Sequence, residues 1–310
     1  MNHTVLSRRN VLLATAAAAC APLGTATAQD KPAGPFIFCL NGATIMGQKL
    51  PISKQIEVAA KAGYNAFEPW VSHINDHVKA GGTLADLRKQ IADSGLTIED
   101  AIGFAQWIVE DDAKRAKGLE DAKHDMDAVA QIGGKRMAAP ASGGTDKALD
   151  PHKVAERYRA LAEIGDKAGI VPLLEVWGFS KTLTRLSDAT YVAMESRHPK
   201  AAVLPDVFHL YRGESAIEGL AVLSRAACPI IHMNDYPTGI EPARIKDENR
   251  IYPGDGVAPL KQILKYMVAV GTPIVLSLEI FNREYWKLDA LDCAKRGLDK
   301  MKAAATAAIA

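Results

Sequence analysis

Cysteine is scarce: four thiols, Cys20, Cys39, Cys228 and Cys293, are scattered over 310 residues. Such a set excludes a disulfide framework, and Cys39 and Cys228, set in apolar runs, read as small buried hydrophobes. Net charge is also missing, since 37 Lys and Arg face 36 Asp and Glu. With no basic field to attract phosphates, nucleic acid is excluded as the main partner. A metal-dependent nuclease would also want more histidines than these eight. No long apolar run is available to cross a membrane comfortably. No Gly-rich dinucleotide loop follows the first apolar run, because Asn41-Gly42-Ala43-Thr44 lacks the spacing.

What is present begins with an address. Ser7-Arg8-Arg9-Asn10-Val11-Leu12 is a twin-arginine motif, a short Ala-rich stretch follows, and Ala26-Thr27-Ala28 offers a small-x-small cleavage site. Residues 1–28 are therefore expected to be an export signal read by the twin-arginine machinery, with a periplasmic or otherwise exported product. That route carries folded proteins, so a metal could be loaded before export. Ala17-Ala18-Ala19-Cys20 resembles a lipoprotein signal but lacks its usual Leu. Without Arg8 and Arg9 the balance is 35 basic against 36 acidic residues, about −1.

From 35 to 305 the chain alternates in one pattern, with no low-complexity linker. Eight apolar runs, at 36–40, 65–70, 97–104, 136–140, 171–177, 202–207, 230–234 and 274–281, predict strands buried on both faces. Helical stretches separate them. Ser53, Thr83 and Asp150-Pro151 are start signals and Gly63, Gly95 and Gly169 stop signals; Ser187, Glu214 and Pro259 open three more, and 111–131 and 289–305 are the longest. Eight βα units in series predict an α/β fold, a (βα)8 TIM barrel at 35–305, with an open doubly wound sheet as the alternative.

In a barrel the chemistry sits at the C-terminal ends of strands. Four consecutive runs each place ionisable residues there: Glu175 in Leu174-Glu175-Val176, Asp206 in Pro205-Asp206-Val207, His232 in Ile231-His232-Met233, and Glu279 in Leu278-Glu279-Ile280. Burying one such charge in an apolar strand is costly unless it is paired or metal-bound. Three carboxylates and one imidazole solve this jointly as ligands of one divalent metal ion, Mn²⁺, Mg²⁺, Co²⁺ or Zn²⁺. Glu68, closing Phe67-Glu68, either faces this site or forms a salt bridge in the barrel mouth. Trp70, Trp107, Trp177 and Phe281 are candidates for the pocket wall or for ordinary packing. His73 and His77, four apart, read as a solvated pair in a polar loop. Asp235, beside His232, is placed to orient a ligand.

These motifs resemble the xylose-isomerase-like family of sugar isomerases and epimerases, and within it the inosose isomerases. The likeness is carried by Cys39-Leu40-Asn41-Gly42-Ala43-Thr44, Leu174-Glu175, Asp206-Val207-Phe208-His209, His232-Met233-Asn234-Asp235, Asp247-Glu248-Asn249-Arg250-Ile251-Tyr252-Pro253-Gly254-Asp255-Gly256 and Leu278-Glu279-Ile280-Phe281-Asn282-Arg283-Glu284-Tyr285-Trp286-Lys287-Leu288. It spans the chain after the signal and thins from about 110 to 135, a polar segment placed to reshape the pocket or a contact in a homo-oligomer. The resemblance implies Glu175, Asp206, His232 and Glu279 as metal ligands, with Glu175 and Glu279 doubling as the acid/base pair. It implies that His209 bonds a substrate oxygen, and that Arg250 neutralises oxyanion charge or fixes its loop.

The expected activity is metal-assisted proton transfer through an enediolate on a small sugar or keto-polyol. Family members of inositol catabolism work in the cytoplasm, so an exported chain would instead meet sugars, oxidised sugars or glycosides before uptake. A lyase or hydratase acting on 3-keto-glycosides is therefore a second expectation. A sugar-binding protein without catalysis is the third, and it has no use for a pair of acid/base glutamates.

Overall fold

A computed structural model describes residues 34–310; the expected export signal, 1–28, lies outside the described residues. In chain order the regular elements are β1 (Phe36–Asn41), α1 (Ile52–Ala62), β2 (Ala66–Glu68), α2 (Val71–Lys79), α3 (Leu84–Asp93), α4 (Asp112–Gln131), β3 (Arg136–Ala139), α5 (Pro151–Ala168), β4 (Val171–Glu175), α6 (Leu186–Glu195), β5 (Ala202–Leu204), α7 (Val207–Arg212), β6 (Ile230–Met233), α8 (Leu260–Ala269), β7 (Ile274–Leu278) and α9 (Ala290–Ile309). The strands pair in parallel in two ladders, β2-β1-β7-β6 and β3-β4-β5. The Asp206–His232 bridge joins β5 to β6, and the 97–102 segment bridges β2 to β3. The ring thus has eight positions and is a TIM barrel.

The third position differs from the expected strand at 97–104. Its bridges are Ala66–Thr97 and Trp70–Ile102, four residues apart on one side and five on the other. The extra residue is a bulge. Its cause lies on the neighbouring strand: Pro69 has no N–H to extend the ladder begun by Phe67 N to Thr97 O at 2.9 Å. The Glu99 carbonyl instead accepts from Arg136 Nη1 at 3.1 Å. Arg136 Nη1 also reaches Glu99 Oε2 at 3.1 Å, and Lys135 pairs with the same carboxylate.

Several start and stop signals act as expected. Thr83 accepts from Asp86 N and Asp150 from His152 N, while Gly63 (φ 93°) and Gly169 (φ 73°) end α1 and α5 in the left-handed conformation that glycine adopts freely. Others shift. Pro51, not Ser53, precedes α1, and α6 starts at Leu186. Glu214 opens no α-helix; a 3-10 turn spans Ile217–Val222. His73 and His77 lie on α2 rather than in a polar loop.

Two apolar cores result. The larger fills the space between strands and helices. The smaller lies inside the ring and mixes short side chains (Cys39, Ala66, Ala138 and Ala202) with branched ones (Ile102, Leu173, Leu204, Ile230 and Val275). Cys39, Cys228 and Cys293 are free and buried.

Arg136→Ala should leave the Glu99 carbonyl and a largely buried carboxylate short of partners, costing about 1–3 kcal/mol. Urea denaturation should show a lower midpoint with an unchanged slope. A midpoint equal to wild type would show that the bulge is satisfied without Arg136.

Candidate active site

Successive side chains of a strand point to opposite faces, so parity alone sorts the residues. Leu40, Leu174, Val203, Ile231, Met233, Leu276 and Leu278 pack outward against the helices. Their neighbours Asn41, Glu175, Asp206, His232, Ser277 and Glu279 point into the ring. Register keeps them at similar depth: Asn41 pairs with Glu68, His232 with Ser277, and Asp206 with His232. Asp206 also caps α7, its Oδ1 accepting from His209 N at 2.8 Å. That cap turns the chain so that His209 joins the same cluster.

His232 stands at the centre with no exposure. Its Nε2 lies 3.0 Å from Glu68 Oε1. A carboxylate accepts, so Nε2 carries the hydrogen. Glu68 is itself held by Asn41 Nδ2 at 3.0 Å and by Ser277 Oγ. Nδ1 faces the other way, 3.2 Å from Glu279 Oε2 and 3.7 Å from Asp206 Oδ2, without an aligned hydrogen bond. One ligand atom each from Glu175, His232 and Glu279 lie within 4.8 Å of one another. A buried imidazole nitrogen lacking a partner and ringed by carboxylate oxygens fits a divalent cation, and Glu68 fixes which nitrogen is offered.

Arg250 closes the cluster from above. Its Nη1 donates to Asp206 Oδ2 at 2.6 Å and Glu279 Oε2 at 3.0 Å, and its Nη2 donates to Asp247 Oδ1 at 2.9 Å. The guanidinium is sandwiched 4.5 Å from the Phe208 ring and 5.2 Å from the Phe281 ring. Nη2 also lies 3.0 Å from His209 Nε2. A guanidinium can only donate, so His209 Nε2 accepts and its hydrogen sits on Nδ1. That buried N–H has no partner.

Electrostatics separates the two glutamates. Burial, reinforced by the Glu279 charge, pushes Glu175 up to about 8. Burial acts on Glu279 too, but His232 and then Arg250 outweigh it and hold its carboxyl below the usual range. His232 is raised well above an ordinary imidazole because Glu279 and Glu68 overcome its desolvation. Burial drives His209 down to about 3, so it stays neutral. Asp100 lies under the cluster, unexposed; burial and the Glu68 charge raise it well above the usual carboxyl range.

A cavity of about 180 Å³ opens above these groups, lined by Glu175, His209, Arg250 and Glu279 below and by Trp70, Trp177 and Phe281 around the rim. The structure thus brings together Glu175, Asp206, His232, Glu279, His209, Arg250 and Trp177. Glu68 takes the salt-bridge alternative, buried beneath His232. Trp107 is core, donating to Pro140 O at 2.9 Å. Asp235 orients no ligand; it accepts from the backbone N–H groups of Gly254, Gly256 and Ala258 and ties down that loop. Sequence reasoning missed as working parts Asn41, Ser277, Asp247 and Asn234, whose Nδ2 donates to Asp206 Oδ2 at 3.1 Å and to the Glu279 carbonyl at 3.3 Å. Asn41 carried a signal, a polar residue closing an apolar run; Asp247 carried none.

Residues 56–304 match the family model described as xylose isomerase-like TIM barrel. The chain is 25% identical over 265 residues to an inosose isomerase of Bacillus licheniformis, covering 82% of this chain and 92% of that one. It is 24% identical over 232 residues to a 3-dehydroshikimate dehydratase of Pseudomonas aeruginosa, covering 74% of this chain and 36% of that one. Among solved structures, the IolI protein with a binding zinc atom superposes with a TM-score of 0.80 at 20% identity, covering 87% of this chain and 98% of that one.

Glu68→Ala removes one partner of a fully buried charged pair and strands Asn41 and Ser277, so stability should fall by about 3–5 kcal/mol. Chemical denaturation of chelator-treated protein measures this apart from metal binding. Unaltered stability with a raised KM would instead return Glu68 to the substrate.

Proposed function

Because the chain belongs to the xylose isomerase-like TIM barrel family, we propose that it is a metal-dependent isomerase or epimerase of a sugar or keto-polyol, working by glutamate-mediated proton transfer. One observation carries this reading. Glu175 and Glu279 flank the same cavity within reach of one imidazole, and their surroundings drive their protonation apart. Two carboxyl groups tuned in opposite directions are an acid and a base.

Glu175, Asp206, His232 through Nδ1, and Glu279 would hold the ion. When bound, a divalent cation there would offset the negative charge that develops on neighbouring carbonyl and hydroxyl oxygens as a proton leaves the hydroxyl-bearing carbon. The zinc named in the IolI structure supports a metal of this kind.

The chain's own groups do the rest. Glu279 takes the proton from the carbon beside the carbonyl, and Glu175 returns one at the adjacent position. His209 donates its Nδ1 hydrogen to a substrate oxygen, and the low basicity that burial imposes on its ring keeps it from competing for the transferred proton. Arg250 balances Asp206 and Glu279 from the solvent side. Trp70, Trp177 and Phe281 wall the cavity and thin the water around the reacting carbon. The twin-arginine motif supports an exported enzyme that meets its substrate outside the cytoplasm.

A lyase is the second reading, supported by the likeness to 3-dehydroshikimate dehydratase. There the same proton removal expels a leaving group on the next carbon instead of being followed by return of the proton. A binding protein is disfavoured, because ligand capture does not require two oppositely tuned glutamates.

Metal-loaded protein incubated with ketoses and keto-inositols in deuterated water should exchange a substrate C–H. Glu279→Gln should lower that exchange by about 10²–10⁴-fold, while ligand binding followed by tryptophan fluorescence persists. Unimpaired exchange in Glu279→Gln would sink the mechanism.

Chelation should abolish exchange and added Mn²⁺, Co²⁺ or Zn²⁺ should restore it, with bound metal near one per chain by elemental analysis. Full activity after chelation, with no metal detected, would remove the ion from the reaction.

A further inference from the structure

The cavity over Glu175 and Glu279 is small. Its roughly 180 Å³ falls below the roughly 300–1,000 Å³ of sites that enclose drug-sized ligands, so it takes one ring and little more. Its outer wall is a pair of aromatics, Trp70 and Phe104, with ring centres 5.1 Å apart. Phe104 is 44% exposed, although its neighbours Ile102 and Gly103 are buried. A ring held against a tryptophan at the mouth of a site, yet half open to solvent, offers an unused face.

On the far side of Phe104 lies a second cavity, of about 510 Å³, which shares Ile102 and Phe104 with the first and runs between α2 and α4. Its lining is of another kind. The inner cavity is ringed by buried ionic groups, whereas the outer one presents Ser72, Asn75 and Gln106 around Asp125, whose carboxylate is hydrogen-bonded by the Asn75 side chain. Among the described residues no Lys or Arg lines it; His124 lies 3.7 Å from Asp125, and Asp121 is paired with Lys117 at 2.7 Å. Phosphate and carboxylate would find no lining Lys or Arg to hold them there and would face the Asp125 carboxylate. Amide, hydroxyl and carboxylate side chains beside an exposed aromatic face are the partners that vicinal hydroxyls and the C–H face of a polyol require.

We infer that the groove beside Phe104 is a subsite for a second, uncharged polyhydroxyl unit, so that the preferred substrate is a keto-sugar in glycosidic linkage rather than a free one. The inference rests on the functional reading above. The keto ring sits over Glu175 and Glu279, and its partner unit crosses Phe104 to reach Asn75 and Gln106. No covalent step is added, since the groove contributes binding alone.

The test compares a 3-keto-disaccharide with the matching free 3-keto-hexose, using metal-loaded full-length protein and C–H exchange in deuterated water. Wild type should favour the disaccharide in kcat/KM by at least about tenfold, the scale of one or two hydrogen bonds, through a lower KM. The double variant Asn75→Ala/Gln106→Ala should bring that ratio near one. Phe104→Ala, at an exposed ring whose loss spares the core, should lower the ratio in the same direction. A wild-type ratio near one overturns the subsite while leaving the functional reading intact. So does a wild-type ratio retained in both variants. Exchange on neither compound overturns the subsite, and its absence on ketoses and keto-inositols as well overturns the functional reading with it.

Discussion

Charge imbalance inside the ring governs this structure. Glu68, Asp100, Glu175, Asp206 and Glu279 are all buried within a few ångströms of His232 or Arg250, and Arg250 is the only permanent cation among them. Buried carboxylates in such excess cannot all stay ionised without compensation. Without an ion the balance is struck by protons: Glu175 and Asp100 are pushed toward the neutral acid, and His232 is pushed toward the cation. A divalent cation placed between Glu175, Asp206, His232 and Glu279 would offset part of that negative charge. The electrostatics of the site are therefore compatible with an ion, on grounds that do not depend on likeness to any relative.

The imbalance is inescapable because of strand parity. Moving β6 or β7 by one residue would send His232, Ser277 and Glu279 toward the helices and bring Ile231, Met233 and Leu278 inward. Outward positions are filled by large aliphatic side chains packed on the helices, so that slip would also expose the larger core. Packing outside the ring thus holds the polar groups inside it. The interior below them is apolar, filled by Ile102, Leu173, Leu204, Ile230 and Val275 with smaller residues between, so the polar side chains Asn41, Glu68, His232 and Ser277 gather in one layer and pair there.

Much of this was legible in the sequence, for a definite reason. Glu175, Asp206, His232 and Glu279 each interrupt an apolar run, and a charge inside such a run demands an explanation. Barrel order then places the four on neighbouring strands. The bulge at 97–102 was not legible, because it depends on a missing N–H at Pro69 in a different segment and on Arg136 arriving from a third. Glu68 was legible as an inward carboxylate, while its partner was not: whether it meets substrate or His232 is a matter of depth along the barrel axis, and side-chain alternation carries no depth. Asp247 lies in a polar loop with no periodicity, so its bond to Arg250 emerges only when that loop folds over the mouth.

Arg250 is the link between the metal layer and the substrate layer. Below, it shares Asp206 and Glu279 with the expected ion; above, it is held by Asp247 and meets His209. An ion arriving at Asp206 and Glu279 would weaken the lower contacts by competition and leave the upper ones in place. The guanidinium, gripped between Phe208 and Phe281, has little room to follow either partner. Its donation to His209 Nε2 therefore persists whether or not the ion is present, and with it the hydrogen on Nδ1. The His209 tautomer is set by Arg250 rather than by any ligand, so a donor on Nδ1 is in place before one enters.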